Sequence, residues 1–129
     1  KAITNPSSIS VKSNLVAPTI LTDATPTMCA FQEESFGPVW TVIKANSTSH
    51  TIELANNTVF GLGASIWTVD EKAVEELAPQ LQCGNVFIND IVKSDARLPF
   101  GGIKRSGFGR ELSEFGLREF VNVKTVYIR

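Results

Sequence analysis

The stretch around which the chain is organised is residues 98–111, which read Leu-Pro-Phe-Gly-Gly-Ile-Lys-Arg-Ser-Gly-Phe-Gly-Arg-Glu. It holds four of the nine glycines of the chain, and glycine loses the most backbone freedom when a chain becomes ordered. A fold accepts that loss where the backbone passes close to another group or takes a positive φ. We therefore predict that this segment, called the glycine loop below, is where the fold presents its chemistry.

The segments before the glycine loop alternate between strand and helix patterns. Strands are predicted over residues 39–44, 63–68 and 85–89, and helices over residues 47–56 and 68–81. Short connections imply two right-handed βαβ units, hence an α/β fold with an open, mostly parallel sheet and helices on both faces. Ligands bind such sheets outside the carboxyl ends of the strands, and the glycine loop follows the third strand.

Two prolines limit the neighbouring elements. Pro18 interrupts the apolar segment Leu15 to Leu21, which is predicted to be a short edge strand because proline cannot donate to a central ladder. The polar residues 1–14 before it form a loose or edge segment. A capping box at Thr68 opens the next predicted helix, which Pro79 kinks or ends early.

The C-terminal residues are predicted to form a helix and then a strand. The helix covers residues 110–120 and buries four residues, namely Leu112, Phe115, Gly116 and Phe120. The strand runs from Val121 to Ile128 with apolar groups on both faces, which makes it an exposed edge with unpaired backbone groups.

Composition and charge restrict the function classes. A chain of 129 residues fits one domain and can bury a core, and no apolar run approaches the roughly 20 residues of a membrane span. Residues 1–90 carry four Lys against nine acids, whereas residues 91–129 carry eight Lys or Arg against four acids. This mildly basic tail fits a small anion better than nucleic acid, which needs a denser cluster of basic residues.

Cys29 and Cys83 form no metal pattern with the lone His50, and are expected to be buried, reduced thiols of a cytoplasmic protein.

Several polar residues have both a functional and an ordinary interpretation. Glu34 stands two residues before Phe36 on a pre-proline turn, where a carboxylate and a ring could bind a ribose and a flat heterocycle, or Glu33 and Glu34 are simply solvated. Glu111 starts the predicted helix, which favours a carboxylate, but burial behind the glycine loop would suit it to passing protons. Ser94 and Arg97 are ordinary loop residues or ligands of a carboxylate or phosphate.

Four motifs in the right order resemble those of the aldehyde dehydrogenase superfamily. Residues 33–39 resemble its E-E-x-F-G-P-V motif, and residues 56–62 its A-N-x-x-x-Y-G-L segment, with Phe60 in place of the commoner Tyr. The glycine loop resembles P-F-G-G-x-K-x-S-G-x-G, and Lys124 to Val126 match the terminal K-T-V. Together they cover roughly residues 15–129, and ordered agreement is more specific than any lone motif.

The resemblance implies oxidation of an aldehyde to a carboxylic acid with NAD or NADP as cofactor. In family terms Glu34 holds the nicotinamide ribose, Phe36 packs by the nicotinamide, and Leu62 lies near the nicotinamide and the thiol. Phe100 lines the substrate tunnel, and Glu111 resembles a glutamate proposed to relay protons. No metal site is implied.

The chain departs from the family in one large respect. The family's nucleophilic cysteine lies in a G-Q-x-C motif, which Cys29 and Cys83 do not match. The resemblance therefore implies a part of the enzyme: residues 1–120 as a partial catalytic domain and residues 121–129 as an oligomerisation strand, without the NAD(P)-binding domain and nucleophile region. The chain alone is expected to be inactive, with the remainder of the enzyme and a homodimer or tetramer as partners, and no nucleic acid or membrane.

The loop before the glycine motif points to a substrate. Residues 92–100 resemble the succinate-semialdehyde branch, in which a serine at the place of Ser94 helps to bind the distal carboxylate. A short semialdehyde with succinate semialdehyde first is therefore expected. The alternatives are an aldehyde dehydrogenase of other specificity, a non-catalytic fold or interaction module, and a nucleic-acid-binding module that uses the basic tail.

Overall fold

The computed structural model describes residues 1–4 and 14–129, which divide into unit 1, Lys1–Asn57, and unit 2, Thr58–Arg129. Unit 1 contains β1 (Ala2–Thr4), β2 (Thr19–Leu21), α1 (Cys29–Gln32), β3 (Val39–Thr41) and α2 (Thr48–Asn56). Unit 2 contains β4 (Gly63–Ile66), α3 (Glu71–Leu77), β5 (Asn85–Ile88) and α4 (Ser113–Arg118), with 3₁₀ turns at Ala78–Gln80 and Lys104–Ser106. The prediction for residues 5–13 lies outside the described residues.

Unit 1 is built on a three-stranded sheet in the order β1-β2-β3. Strand β1 runs antiparallel to β2 and β2 runs parallel to β3, with Ile20 opposite both Ile3 and Trp40. The polar start of the chain was expected to be a loose or edge segment, and β1 does lie at an edge of the sheet. The prediction that Leu15 to Leu21 is an edge strand is wrong. Strand β2 is central and begins only after Pro18, so the missing N–H of the proline lies outside the ladder.

Unit 2 contains one of the two predicted βαβ units. Strands β4 and β5 are parallel neighbours with Ala64 opposite Val86, and α3 lies between them in the chain. The parallel pairs confirm the α/β class. The described strands form two sheets and not the single sheet that was predicted. Strand β3 pairs with β2 in unit 1, and β4 pairs with β5 in unit 2.

The helix ends follow side-chain caps. Ser47 caps α2, as the predicted start of that helix required. The carboxylate of Asp70 accepts two backbone N–H groups of the first turn of α3, at 3.0 and 3.3 Å, so Asp70 and not Thr68 is its N-cap. The predicted early end is confirmed, since α3 stops at Leu77 and Pro79 lies in the 3₁₀ turn.

The C-terminal segment differs from its prediction. Helix α4 starts at Ser113 and not at Arg110, because Leu112 and Ser113 take positive φ angles of 63° and 52° and the residue before them is extended. Residues 122–129 have neither helix nor strand. The strand expected over Val121–Ile128 is therefore not formed with any other part of the chain that the structure describes, and its role in assembly stays a prediction.

Burial is the largest difference from the sequence predictions. Among the described residues no hydrophobic side chain is buried, so these residues do not form the expected core. The predicted buried strand exposes 57% of Trp40, and the predicted buried helix face exposes 53% of Phe115 and 90% of Phe120. Small units with two or three strands leave a large share of their surface uncovered. Cys29 is exposed and Cys83 is half-buried, both without a disulfide, so the expected burial of both thiols is wrong.

None of the helices in residues 1–4 and 14–129 has the length and apolar character needed to cross a membrane.

The exposed apolar faces lead to a prediction about the chain in isolation. Purified as 129 residues, it should strongly enhance the fluorescence of 1-anilinonaphthalene-8-sulfonate and self-associate, because many large apolar side chains are exposed and such side chains bind these dyes and each other. Light scattering with the dye titration checks this. A monodisperse monomer without dye enhancement would contradict it.

Candidate functional site

Gly61 is the residue at which three segments of unit 2 meet. Its buried backbone carbonyl accepts hydrogen bonds from Gly84 N at 3.0 Å and from Ile103 N at 2.9 Å, and its N–H donates to Ser106 Oγ at 2.9 Å. The segments before β4 and before β5 and the glycine loop are thereby joined at one peptide group. A Cβ on Gly61 would lie 2.8 Å from Ile103 Cγ1, so only glycine fits without displacement of its neighbours.

The side chain of Asn85 makes a second connection between the same segments. Its Nδ2 donates to Leu62 O at 2.8 Å and to Gly101 O at 2.9 Å. The segment before β4 is thus fixed to the glycine loop both through Gly61 and through this amide.

The glycine loop closes on itself. Phe100 and Glu111 form an antiparallel bridge, with Phe100 N donating to Glu111 O at 2.9 Å and Glu111 N donating to Phe100 O at 2.8 Å. Arg110 Nη1 donates to Gly102 O at 3.2 Å and to Gly109 O at 2.6 Å. The glycines were expected where the backbone takes a positive φ or passes close to another group, and both cases are confirmed. Gly109 has a φ of +73°, and a Cβ on Gly102 would lie 2.6 Å from Ser106 Cβ.

A cavity of about 510 Å³ opens beside the glycine loop. Its lining brings together three residues that the sequence singled out. Leu62 comes from the segment before β4, and Phe100 and Glu111 come from the two ends of the glycine loop. Glu119 lines the same cavity and was not anticipated. Helical spacing offers no signal for it, because Glu111 lies before α4 and Glu119 directly after it.

A second cavity of about 410 Å³ lies along the whole of β5 and the loop that follows it. It therefore includes, but is not confined to, the carboxyl end of the strand, where the parallel-strand argument expected a ligand site. Phe100 lines this cavity as well as the first. The side chains on either side of Ser94, those of Lys93 and Asp95, also line it, and Ser94 itself is exposed.

The charges around this second cavity are paired within the loop. Arg97 donates from Nε to Asp95 Oδ1 at 2.9 Å and from Nη2 to Asp95 Oδ2 at 2.6 Å, and Lys93 Nζ lies 2.5 Å from Asp90 Oδ2. The hydrogen bond from Arg97 holds the pKa of Asp95 well below its usual range, and that from Lys93 lowers the pKa of Asp90. Of the two interpretations of Arg97, the ordinary loop residue fits this geometry better.

Glu34 and Phe36 lie in unit 1 on the turn before β3. Gly37 N donates to Ser35 Oγ at 3.3 Å, and Val39 N donates to Gly37 O at 2.8 Å, so the turn is locally hydrogen-bonded. Both Glu34 and Phe36 are exposed, the phenyl ring by 94%. The carboxylate and the ring are therefore both open to a ligand.

The described residues contain no group of three or more His, Cys, Asp or Glu side chains suited to a metal ion.

The arrangement has clear counterparts among known proteins. A sequence profile of the aldehyde dehydrogenase family matches residues 4–126. The chain belongs to the aldehyde dehydrogenase family. It is 54% identical over 114 residues to the succinate semialdehyde dehydrogenase Sad of Escherichia coli (strain K12), which covers 88% of this chain and 25% of that protein. A probable NADP(+) succinate-semialdehyde dehydrogenase of Synechocystis is 50% identical over 115 residues, covering 89% of this chain and 25% of that protein.

Solved structures of this family share the fold. The succinic semialdehyde dehydrogenase from Streptococcus pyogenes, crystallised in complex with NADP+, superposes with a TM-score of 0.88 and 38% identity, covering 98% of this chain and 28% of that one. A putative aldehyde dehydrogenase from Burkholderia cenocepacia superposes with a TM-score of 0.82 and 41% identity, covering 88% of this chain and 24% of that one. The chain thus spans about a quarter of the length of the relatives it matches.

The close approach of Gly84 to the glycine loop gives a testable consequence. A Cβ on Gly84 would lie 1.8 Å from Gly101 O, so Gly84→Ala must displace the loop and should destabilise the fold by about 3 kcal/mol or more, as overpacking does. The matched control is Gly37→Ala, whose added Cβ meets no atom closer than 3.8 Å. Urea unfolding compares the two variants, and equal midpoints would contradict the predicted contact.

Proposed function

We propose that this chain is the C-terminal part of the catalytic domain of an NAD(P)-dependent aldehyde dehydrogenase that oxidises a short semialdehyde, with succinate semialdehyde as first choice. The observation that carries the proposal is the cavity that gathers Leu62, Phe100 and Glu111 beside the glycine loop. The relatives named as succinate-semialdehyde dehydrogenases, at 49% to 54% identity, support the substrate.

In the proposed enzyme the cofactor is NAD or NADP, which accepts a hydride from the substrate when bound. Glu34 holds the hydroxyls of the nicotinamide ribose, and Phe36 flanks the ring. The residues fit this group, because an exposed carboxylate and an exposed phenyl ring stand two positions apart on a hydrogen-bonded turn. Leu62 provides an apolar wall near the reacting thiol.

The proposed chemistry at the substrate needs groups from outside this chain. The nucleophilic thiolate comes from the remainder of the enzyme, because neither Cys29 nor Cys83 stands in the family's nucleophile motif. Glu111 relays the proton that hydrolysis of the thioester releases, and the apolar ring of Phe100 lines the aldehyde tunnel. The 129-residue chain alone is therefore proposed to be inactive.

Ser94 is proposed to donate a hydrogen bond to the distal carboxylate of the substrate. Lys93 and Arg97, its neighbouring cations, are already paired with Asp90 and Asp95. The loop therefore offers a neutral hydroxyl donor, and a cation that balances the carboxylate has to come from another part of the enzyme.

The proposed partners follow from the exposed surface. The remainder of the catalytic domain covers apolar faces such as that of Trp40, which the single chain leaves 57% exposed. Residues 121–129 add to the sheet of a second subunit in a homodimer or tetramer. The enzyme is proposed to be cytoplasmic, without a nucleic-acid or membrane partner.

The substrate proposal is tested in a chimera in which residues 15–129 replace the matching quarter of the E. coli relative. Ser94→Ala should lower kcat/KM for succinate semialdehyde about tenfold and leave that for butanal unchanged, because a hydrogen bond to a charged group is worth roughly 1.5 kcal/mol or more. Ser49→Ala, which removes an exposed hydroxyl of α2, is the control and should change neither value.

The outcome that contradicts the substrate assignment concerns the unmutated chimera. If it oxidises butanal and succinate semialdehyde with equal kcat/KM, the loop around Ser94 does not select a carboxylate, since a site built for a polar group rejects analogues that lack it.

Assembly is tested by deletion of residues 123–129 from the same chimera. Val123, Tyr127 and Ile128 are 84%, 82% and 87% exposed, and no residue of 122–129 belongs to a strand of the chain. Removing them should convert the dimer or tetramer into smaller or aggregated species in light scattering. Lys124→Ala keeps the backbone and should keep the oligomer, and an unchanged oligomer after the deletion would refute the assembly role.

A further inference from the structure

The carboxamide of Asn85 holds the backbone carbonyls of Leu62 and Gly101, two residues that both line the cavity beside the glycine loop. Leu62 O and Gly101 O accept from the same Nδ2, at 2.8 and 2.9 Å. Both carbonyls are acceptors only, so the NH₂ end of the amide must face them, and both of its hydrogens are used. The two hydrogen bonds therefore fix the separation of the two backbone segments.

The sequence around Asn85 is otherwise poorly suited to the start of a strand. Asparagine is disfavoured in strands, yet Asn85 is the first residue of β5, paired with Gly63 of β4. It follows Gly84, where a Cβ would overlap Gly101 O. The backbone of Gly84 and the side chain of Asn85 thus both contact Gly101. This indicates that the close approach of the segment before β5 to the glycine loop is specified by the sequence.

We propose that Asn85 is a positioning residue that sets the gap between the Leu62 wall and the Phe100 wall of the cavity. It acts through Leu62 and through Gly101, the residue that follows Phe100, and it is absent from the lining of that cavity. The inference rests on the proposed function, because the two walls are proposed to face the nicotinamide and the aldehyde.

The two hydrogen bonds allow a graded test. Asn85→Asp keeps the size of the side chain but replaces the NH₂ group with an oxygen that repels the two carbonyls. Asn85→Ala removes the carboxamide. Asn85→Ser leaves one hydrogen-bond donor on a shorter side chain. A change in the position of a reacting group of about 1 Å costs on the order of a hundredfold in rate. We expect kcat for succinate semialdehyde in the chimera to fall in the order Asn, Ser, Ala, Asp, with at least about a tenfold loss for Asn85→Asp.

The readouts separate positioning from stability. A purely structural role lowers the melting temperature and leaves kcat per folded molecule unchanged, whereas the positioning role lowers kcat of the folded enzyme. Crystal structures of the folded variants should also show a longer distance between Leu62 O and Gly101 O. The control is Asn46→Asp, which places the same change at an exposed residue of unit 1 and should alter neither quantity.

The outcomes distinguish this inference from the proposed function. If the unmutated chimera fails to oxidise aldehydes, the proposed function fails. If it is active and the folded Asn85 variants keep its kcat and its carbonyl separation, the positioning role is overturned. Should Asn85→Asp and Asn85→Ala fail to fold, Asn85→Ser decides, because one remaining donor predicts an intermediate kcat rather than an unchanged one.

Discussion

The backbone of Gly61 is the constraint on which the arrangement of unit 2 depends. One peptide oxygen accepts from Gly84 and Ile103 while the N–H of the same residue donates to Ser106. Buried backbone groups must be paired, and here the partners come from segments far apart in sequence. The approach needed for these bonds leaves no space for a Cβ at Gly61, Gly84 or Gly102. Glycine at these three positions is therefore a consequence of close packing around the backbone, whereas Gly107 and Gly109 of the loop take positive φ angles of 137° and 73°.

The site cavities differ in their electrostatics. Glu111, Glu119 and Arg110 line the cavity beside the glycine loop, where Arg110 Nη1 is held by two backbone carbonyls. The cavity along β5 is bordered by two ion pairs whose charges cancel within the loop. The pairing lowers the pKa of both Asp95 and Asp90 below the usual aspartate value. Any contribution these pairs make to loop stability is therefore present above the usual aspartate pKa and is lost as the pH falls through the lowered values.

Much of the fold could be predicted from the sequence, because its signals are local. Ser47 and Pro79 mark helix ends by hydrogen bonding and sterics, and the β-branched segments mark strands. The central position of β2 could not be predicted, because pairing partners are set by tertiary contacts and not by Pro18 alone. The exposure of Trp40 and Phe120 could not be predicted either. An apolar pattern indicates that a face is suited to burial, and it contains no information on whether the covering element lies within the same 129 residues.

The residues of the candidate site could be predicted from the sequence, but their hydrogen-bond and ion-pair partners were harder to predict. Leu62, Phe100 and Glu111 were singled out by motif, and the structure places them around one cavity. The pairing of Arg97 with Asp95 was missed, although the i to i+2 spacing in a turn allows an acid to bind both the backbone N–H and the guanidinium. For Asn85 the sequence predicts only the start of a strand, since its two acceptors are backbone groups that no side-chain pattern reveals.

The measurement that tests this account most directly is amide hydrogen exchange of the chain, read by mass spectrometry with residue-level fragmentation. If Gly61 is the junction of unit 2, its own amide and those of Gly84 and Ile103 should exchange slowly and at a common rate, because they open together. Ser106→Ala should speed the exchange of all three. Exchange of these amides as fast as that of residues 122–129, which have no secondary structure, would contradict the central role of Gly61.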